Sequence, residues 1–271
     1  MKFKEKQFDG PYEVIGVEID NKGEIFKGLT YFPPESFQKP YPLVIYFHGF
    51  PQLFPLQEIV KGYKYILDMG IAFMIFNFRG YRYSDGEVSI KGQYSDAIKI
   101  IDFAEKLAHN GLFDLKNVNI LAHDFGAYIA LLLCSKIKLI NNLLLLNPIL
   151  NLERHVYDDD FERVLNYINR FLPTNVRGID NVGGFIKKTK KELTKKDFNI
   201  QKVIKRLKNK KLIIIIGDKD KITPLSEVNK IMENSNLIPE LVIIKDMDHQ
   251  CIEDDDLEIV RKKIEDVFKI E

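Results

Sequence analysis

Residues 118–130 read Val-Asn-Ile-Leu-Ala-His-Asp-Phe-Gly-Ala-Tyr-Ile-Ala: an apolar run, an abrupt small and polar turn, then an apolar pattern at helical spacing. A strand feeding a helix through so short a connection must bend sharply, and the backbone at the bend is driven close to its neighbours. Ala122, Gly126 and Ala127 are the small residues such an approach needs. Asp124 stands at the tip, its carboxylate lifted above a strand end and set at a helix N-terminus, where partial positive charge favours an anion. Asp is also among the best helix N-caps, so two readings of Asp124 stay open: a reactive carboxylate or a cap.

The rest of the chain alternates around this bend. Tyr12 to Ile19 and Ile25 to Phe32, joined by Asn21-Lys22-Gly23-Glu24, predict an antiparallel hairpin. Leu43 to Phe47, Ala72 to Phe78, Val118 to Leu121, Asn142 to Leu146, Leu212 to Ile216 and Glu240 to Ile244 are short apolar runs, as expected of strands covered on both faces. Helical patterns separate them: Ile59 to Met69, a long stripe through Ala97, Ile98, Ile101, Ala104, Leu107 and Ala108, Tyr128 to Cys134, and Leu257 to Phe268. Such alternation predicts an α/β fold with a mostly parallel, doubly wound sheet, whose ligands bind beyond the carboxyl ends of the strands. One long segment breaks the rhythm. Residues 1–151 and 211–271 read as two parts of a single sheet domain, and the polar, lysine-rich stretch 152–210, with its amphipathic run Phe161 to Phe171, as a helical cap inserted between them.

With 271 residues the chain has room for one such domain and its insertion. Forty basic against thirty-nine acidic side chains leave a net charge of +1, which offers no electrostatic attraction to nucleic acid or a membrane surface, so a small-molecule substrate is expected. Cys134 and Cys251 are far apart and without metal-ligand spacing, and no metal or cofactor motif is present. Neither a leader-like apolar segment nor a run of eighteen apolar residues occurs, and the cytoplasm is the compartment expected.

Further polar residues fall just past the strand ends. Asp220 follows the run ending at Ile216, and His249 follows the one ending at Ile244. The order along the chain is nucleophile, acid, histidine. Asp220 would hold one ring nitrogen of His249 and fix its tautomer, leaving the other for Asp124 or a water. Taken together, His48-Gly49-Phe50, Asn77-Phe78-Arg79-Gly80-Tyr81-Arg82-Tyr83-Ser84-Asp85-Gly86, the Gly217 to Pro224 loop and Asp248-His249 make the chain from Tyr12 to Phe268 resemble an α/β-hydrolase, its body similar to the cinnamoyl or feruloyl esterase-like and monoglyceride lipase-like enzymes. Those enzymes carry serine at the elbow. The elbow Ala122-His123-Asp124-Phe125-Gly126 and the loop His48-Gly49-Phe50-Pro51 instead resemble epoxide hydrolases and haloalkane dehalogenases, in which aspartate is the nucleophile.

The resemblance implies that the Phe50 and Phe125 amides form the oxyanion hole, or hold the oxygen of Asp124 that does not attack. A carboxylate attacking an ester would yield a mixed anhydride, whereas attack on an sp³ carbon bearing halide or epoxide oxygen yields an ordinary alkyl ester, which a His249-Asp220 pair could hydrolyse. The chain has no Trp to hold a halide. Epoxide opening calls for acidic hydroxyls from the cap, for which Tyr157 and Tyr167 are the candidates. The alternative is a protein of esterase lineage whose serine has been replaced by Asp124, catalytically silent or ligand-binding.

Overall fold

The computed structural model describes residues 2–207, 211–233, 238–250 and 254–269. They form a nine-stranded sheet: β1 (Lys2–Asp9), β2 (Tyr12–Asn21), β3 (Glu24–Tyr31), β4 (Tyr41–Phe47), β5 (Ala72–Phe76), β6 (Phe113–His123), β7 (Asn142–Leu146), β8 (Lys211–Gly217) and β9 (Glu240–Ile244). The order across the sheet is β1-β2-β3-β5-β4-β6-β7-β8-β9, antiparallel from β1 to β5 and parallel from β5 to β9. Strand order reverses beside β4, and there the loops leaving β4 and β6 splay apart to open a crevice.

Between the strands run α1 (Leu56–Lys61), α2 (Lys64–Asp68), α3 (Ile90–His109), α4 (Asp124–Cys134), α9 (Leu225–Glu233) and α10 (Asp254–Phe268), with α5 (Leu152–Val156), α6 (Asp159–Phe171), α7 (Val182–Leu193) and α8 (Ile200–Val203) all falling between β7 and β8. Two cores result. Val17, Phe26, Leu43, Ile45, Ile101 and Leu131 belong to one, Val44, Phe73, Ile75, Ile213, Ile215 and Ile264 to the other. Along β4 and β8 successive residues alternate between the two cores, which is why both strands read as unbroken apolar runs.

Local differences from the sequence reading have physical causes. The expected helix Ile59 to Met69 is two short helices, because Gly62 and Tyr63 turn the chain between them. β6 reaches back to Phe113 and pairs Tyr41 with Phe113 before a register shift, so the elbow strand is much longer than its apolar run. β1 has no clean alternation; it pairs with β2 through backbone bonds that its charged sequence conceals. Cys134 is buried at the end of α4, while Cys251 lies outside the described residues, as do residues 208–210 at the end of the insertion. Among the described residues no helix is long and apolar enough to cross a membrane.

One polar cluster braces the crevice. Asp96, fully buried on α3, accepts from Arg79 Nε at 3.0 Å, Arg79 Nη2 at 2.6 Å, the Arg79 amide at 3.0 Å and Asn21 Nδ2 at 2.8 Å. Arg79 also pairs with Glu24. The loop after β5 is thereby tied to α3 and to the hairpin. Replacing Asp96 by Ala leaves the part-buried guanidinium short of its main partner, a loss of about 3–5 kcal/mol. Chemical denaturation of Asp96→Ala is expected to show a clearly lowered midpoint; an unchanged midpoint would remove the cluster from this role.

Candidate active site

Asp124 is the first residue of α4 and adopts φ 52°, a left-handed conformation uncommon for a residue with a side chain. The bend is enforced by crowding. A Cβ on Gly126 would stand 2.3 Å from the Phe47 carbonyl oxygen, so only glycine lets α4 start this close to β4. Gly49 has a similar duty: a Cβ there would lie 2.6 Å from Asp124 Oδ2. With that space open, the Phe50 amide donates to Asp124 Oδ2 at 2.6 Å.

The carboxylate does not cap its own helix. His123 holds the N-cap position and makes no side-chain cap bond, and the Asp124 oxygens are directed at the Phe50 amide and at His249. Only 5% of Asp124 is exposed. Burial works to raise its pKa, yet the His249 hydrogen bond and charge, with His123 and the Phe50 amide, outweigh it and hold the carboxyl below the usual range.

His249 lies between two carboxylates. Its Nε2 is 3.3 Å from Asp124 Oδ1 and its Nδ1 2.8 Å from Asp220 Oδ2. Burial alone would lower its pKa, but the hydrogen bonds and charges of Asp124 and Asp220 prevail and raise it to about 9. Asp220 is pinned in turn, Oδ1 accepting the amides of Ile222 at 2.9 Å and Thr223 at 2.8 Å. The loops carrying Asp220 and His249 are joined by a residue the sequence reading passed over. Asn147, fully buried after β7, donates from Nδ2 to the carbonyls of Asp248 and His249 and accepts the Gly217 amide at Oδ1. Its φ of 40° is a conformation Asn tolerates, and an Asn straight after an apolar strand was the available signal.

The loop after β4 is set by His48. Its Nε2 accepts the Phe78 amide at 3.2 Å and its Nδ1 donates to the Gly49 carbonyl at 2.8 Å, which defines a neutral tautomer. Burial lowers its pKa to about 4, against the opposing pull of the Gly49 carbonyl and Asp124. Phe125, second in α4, has an amide without an i−4 carbonyl in its own helix.

An apolar cavity opens here, lined among others by Phe50, Phe125, Ile149, Phe161 and Phe185, with His155 among them. Tyr157 and Tyr167 are not in it. They are 62% and 60% exposed, Tyr157 beneath the Lys190 ammonium and Tyr167 against Phe171. The inward stripe of α6 is Phe161, Leu165 and Ile168, and Tyr167 falls off that stripe, so neither tyrosine expected to meet substrate is part of this lining. The structure thus brings Asp124, Asp220, His249, Phe50 and Phe125 together and leaves both tyrosines outside, while His155, which sequence alone did not single out, faces the cavity.

A family model described as alpha/beta hydrolase fold matches residues 42–184. Of curated proteins, the zebrafish Danio rerio lysophosphatidylserine lipase ABHD12 is 26% identical over 141 residues, which is 51% of this chain and 36% of that protein, so the chain matches about a third of the relative's length. Among solved structures, the alpha/beta hydrolase GrgF from Penicillium sp. sh18 superposes with TM-score 0.69 at 18% identity, covering 94% of this chain and 98% of that one. Est1E from Butyrivibrio proteoclasticus with bound ferulic acid gives 0.67 at 17% identity, covering 93% and 97%. At such identities these two likenesses speak for the fold.

The site's charge makes a stability prediction. Between its ordinary 6.5 and about 9, His249 binds a proton in the folded chain that it does not bind unfolded. Its contribution is therefore complete below about pH 6.5 and is lost as pH rises through 9. His48 acts oppositely, its contribution being lost as pH falls from 6.5 towards 4. Unfolding midpoints across pH are expected to fall on both flanks, and His249→Gln to flatten the alkaline one; an alkaline flank unchanged in that variant would overturn the assignment.

Proposed function

The chain belongs to the alpha/beta hydrolase fold family, and from that premise we propose that it is a cofactor-free hydrolase of a small organic substrate with Asp124 as its nucleophile and His249-Asp220 as its water-activating pair. The observation that carries this is the division of the Asp124 carboxylate: Oδ2 is held by the Phe50 amide at 2.6 Å, while Oδ1 is turned to His249. An ionised oxygen is a nucleophile without further activation, and the opposite oxygen needs a fixed donor to orient it. A helix cap would require neither.

Attack by Oδ1 on an sp³ carbon bearing an epoxide oxygen or a halide forms an alkyl ester of Asp124 and breaks the bond to the leaving atom. The acidity of His249 then changes. Its raised pKa rests on two carboxylates, and esterification removes the charge of one, so the imidazolium gives up its proton and becomes a base for water. Hydroxide adds to the ester carbonyl, the alcohol departs, and Asp124 is restored. The helices of residues 152–206 act in this reading as a cap that supplies the apolar side of the pocket.

Esterase ancestry is the second reading, favoured by the likeness to Est1E and by the Phe50 and Phe125 amides, which would serve an acyl-transfer oxyanion equally well. The two readings part experimentally. Under the first, intact mass after exposure to a mixture of 1,2-epoxybutane, 1-bromobutane and p-nitrophenyl acetate shows an alkyl adduct. His249→Gln should then accumulate that adduct, because attack needs no base whereas its hydrolysis does; failure of any adduct to form in either protein would refute Asp124 as nucleophile. Under the second, Asp124→Ser gains p-nitrophenyl acetate hydrolysis, since positioned donors alone are commonly worth about 10²–10³ in rate. Ester hydrolysis that persists in Asp124→Ala would place the chemistry elsewhere.

A further inference from the structure

We propose that the groove between the β2–β3 hairpin and the loop after β5 is a second binding site, for a small aliphatic 2-hydroxycarboxylate. The groove encloses a cavity of about 350 Å³, within the range of small-molecule pockets. Its floor is one face of the hairpin: Gly16 pairs with Leu29 and Glu18 with Lys27, so these four stand on the same side of the sheet. Pro55 and Leu56 close it from the connection after β4, and Asn77, Arg82 and Tyr83 from the loop after β5. Among the described residues, none of this lining is shared with the cavity that Phe50 and Phe125 line.

Polar groups on the wall formed by the loop after β5 lack partners. Asn77 is 3% exposed, and its Oδ1 is buried with no hydrogen-bond partner among the described residues. Arg82 Nε is in the same condition. The rest of that guanidinium meets neutral groups, Nη1 donating to the Leu53 carbonyl at 2.8 Å and to Asn175 Oδ1 at 3.4 Å, with the Tyr83 ring 5.6 Å away. Among the described residues Arg82 enters no ion pair. A buried acceptor and a buried donor left open beside one cavity are costly, and a ligand that bonds to both removes the cost. The wall is also fixed in advance. The Asn77 amide donates to the Lys27 carbonyl at 2.9 Å, the Lys27 amide to Ser84 Oγ at 2.9 Å, and Ser84 Oγ to the Asn77 carbonyl at 2.7 Å, which ties loop to floor. Arg82 itself is held at φ 45°, in the left-handed region. A site so preformed loses little to ordering when a small molecule enters.

The chemistry of the lining selects the ligand. Among its described residues Lys27 and Arg82 stand against Glu18, and Glu18 is already engaged by Lys27 at 3.8 Å, so the unmatched charge is that of Arg82. A carboxylate is the small organic anion that a planar guanidinium meets best. Asn77 Oδ1 calls for a donor. A hydroxyl supplies one without a second charge, whereas an ammonium needs a carboxylate, and the carboxylate of the described lining is taken. Because Asn77 and Arg82 belong to one wall, the hydroxyl stands next to the carboxylate, and an aliphatic chain is left to cover Leu29 and Leu56.

The test is equilibrium dialysis of the full chain against 2-hydroxyisocaproate and against analogues that each remove one element: isocaproate without the hydroxyl, 2-hydroxyisocaproamide without the charge, and inorganic sulfate without the chain. The hydroxy acid is expected to bind with a dissociation constant of about 1 mM or tighter, as suits a molecule of its size. Each analogue should bind about tenfold more weakly or worse, since each leaves a buried group unpaired or the apolar floor uncovered. Arg82→Gln is expected to weaken the hydroxy acid about tenfold or more. Leu29→Trp, which fills the floor without removing a polar group, should abolish binding, and it decides the matter if Arg82→Gln does not fold. Asp124→Ala should bind as the unaltered chain does, which separates this site from the one at the elbow. No retention of 2-hydroxyisocaproate, equal retention of isocaproate or sulfate, or binding that survives Leu29→Trp but is lost in Asp124→Ala would overturn the proposal. Each of these outcomes leaves the reading of Asp124 as nucleophile untouched.

Discussion

Everything at this site depends on the 2.6 Å hydrogen bond from the Phe50 amide to the Asp124 carboxylate. It joins the loop after β4 to the bend after β6, the two connections that part where strand order reverses. Reaching it requires Asp124 to hold φ 52°, a strain of about 1–3 kcal/mol that persists only where the surroundings over-determine it. Here they do. Gly126 lets α4 begin against the Phe47 carbonyl, and Gly49 leaves the carboxylate free to approach. His48, gripped by the Phe78 amide, then aims the Phe50 N–H from the other side.

A buried carboxylate is itself a liability, costing several kcal/mol to desolvate unless its charge is matched. Asp124 is matched by the amide of Phe50, the helix N-terminus and His249, and His249 in turn by Asp220. The result is one imidazolium between two carboxylates, so the resting site carries a net negative charge. A serine in the place of Asp124 would leave His249 with a single carboxylate and nearer its ordinary basicity. The aspartate therefore changes more than the tip of the elbow: with Asp220 it holds the proton on His249 well above the ordinary histidine range.

What could be read from the sequence was whatever is decided locally. The elbow showed itself because strand, small residues and helix are contiguous, and Asp220 and His249 because each directly follows an apolar run. The buried strands of the parallel sheet were legible for the same reason. β1 was not, since its stability comes from pairing with β2 and leaves no periodic trace in a charged segment. Asn147 and His155 were missed because their surroundings are set across the fold, by loops and side chains far away in sequence. That the tyrosines of the insertion stand outside the cavity lining was hidden for a related reason. An amphipathic pattern shows that a helix has an inward face, but Tyr167 lies beside that face, and Tyr157 at the end of α5 is drawn outward under Lys190.

Floor and wall of the cavity are held in register by one loop. Residues 77–88 grip His48 through the Phe78 amide and α3 through Arg79 and Asp96. The same loop binds the insertion: the Arg177 amide donates to Gly80 at 2.7 Å, the Arg82 amide to Asn175 at 2.9 Å, and the Val88 amide to Arg177 at 3.0 Å. Tyr81, fully buried between them, packs on His48 at 4.7 Å and on Phe50 at 6.3 Å. A shift of the insertion is thus transmitted to the Phe50 donor through a short run of backbone, without passing through the sheet. The wall also packs directly on the floor, Phe161 and Phe185 lying against Phe50 at 5.9 and 6.2 Å, so the two are coupled by side chains as well as by backbone. The insertion and the Phe50 donor therefore move together: what shapes the apolar wall also sets the position of the N–H beside Asp124.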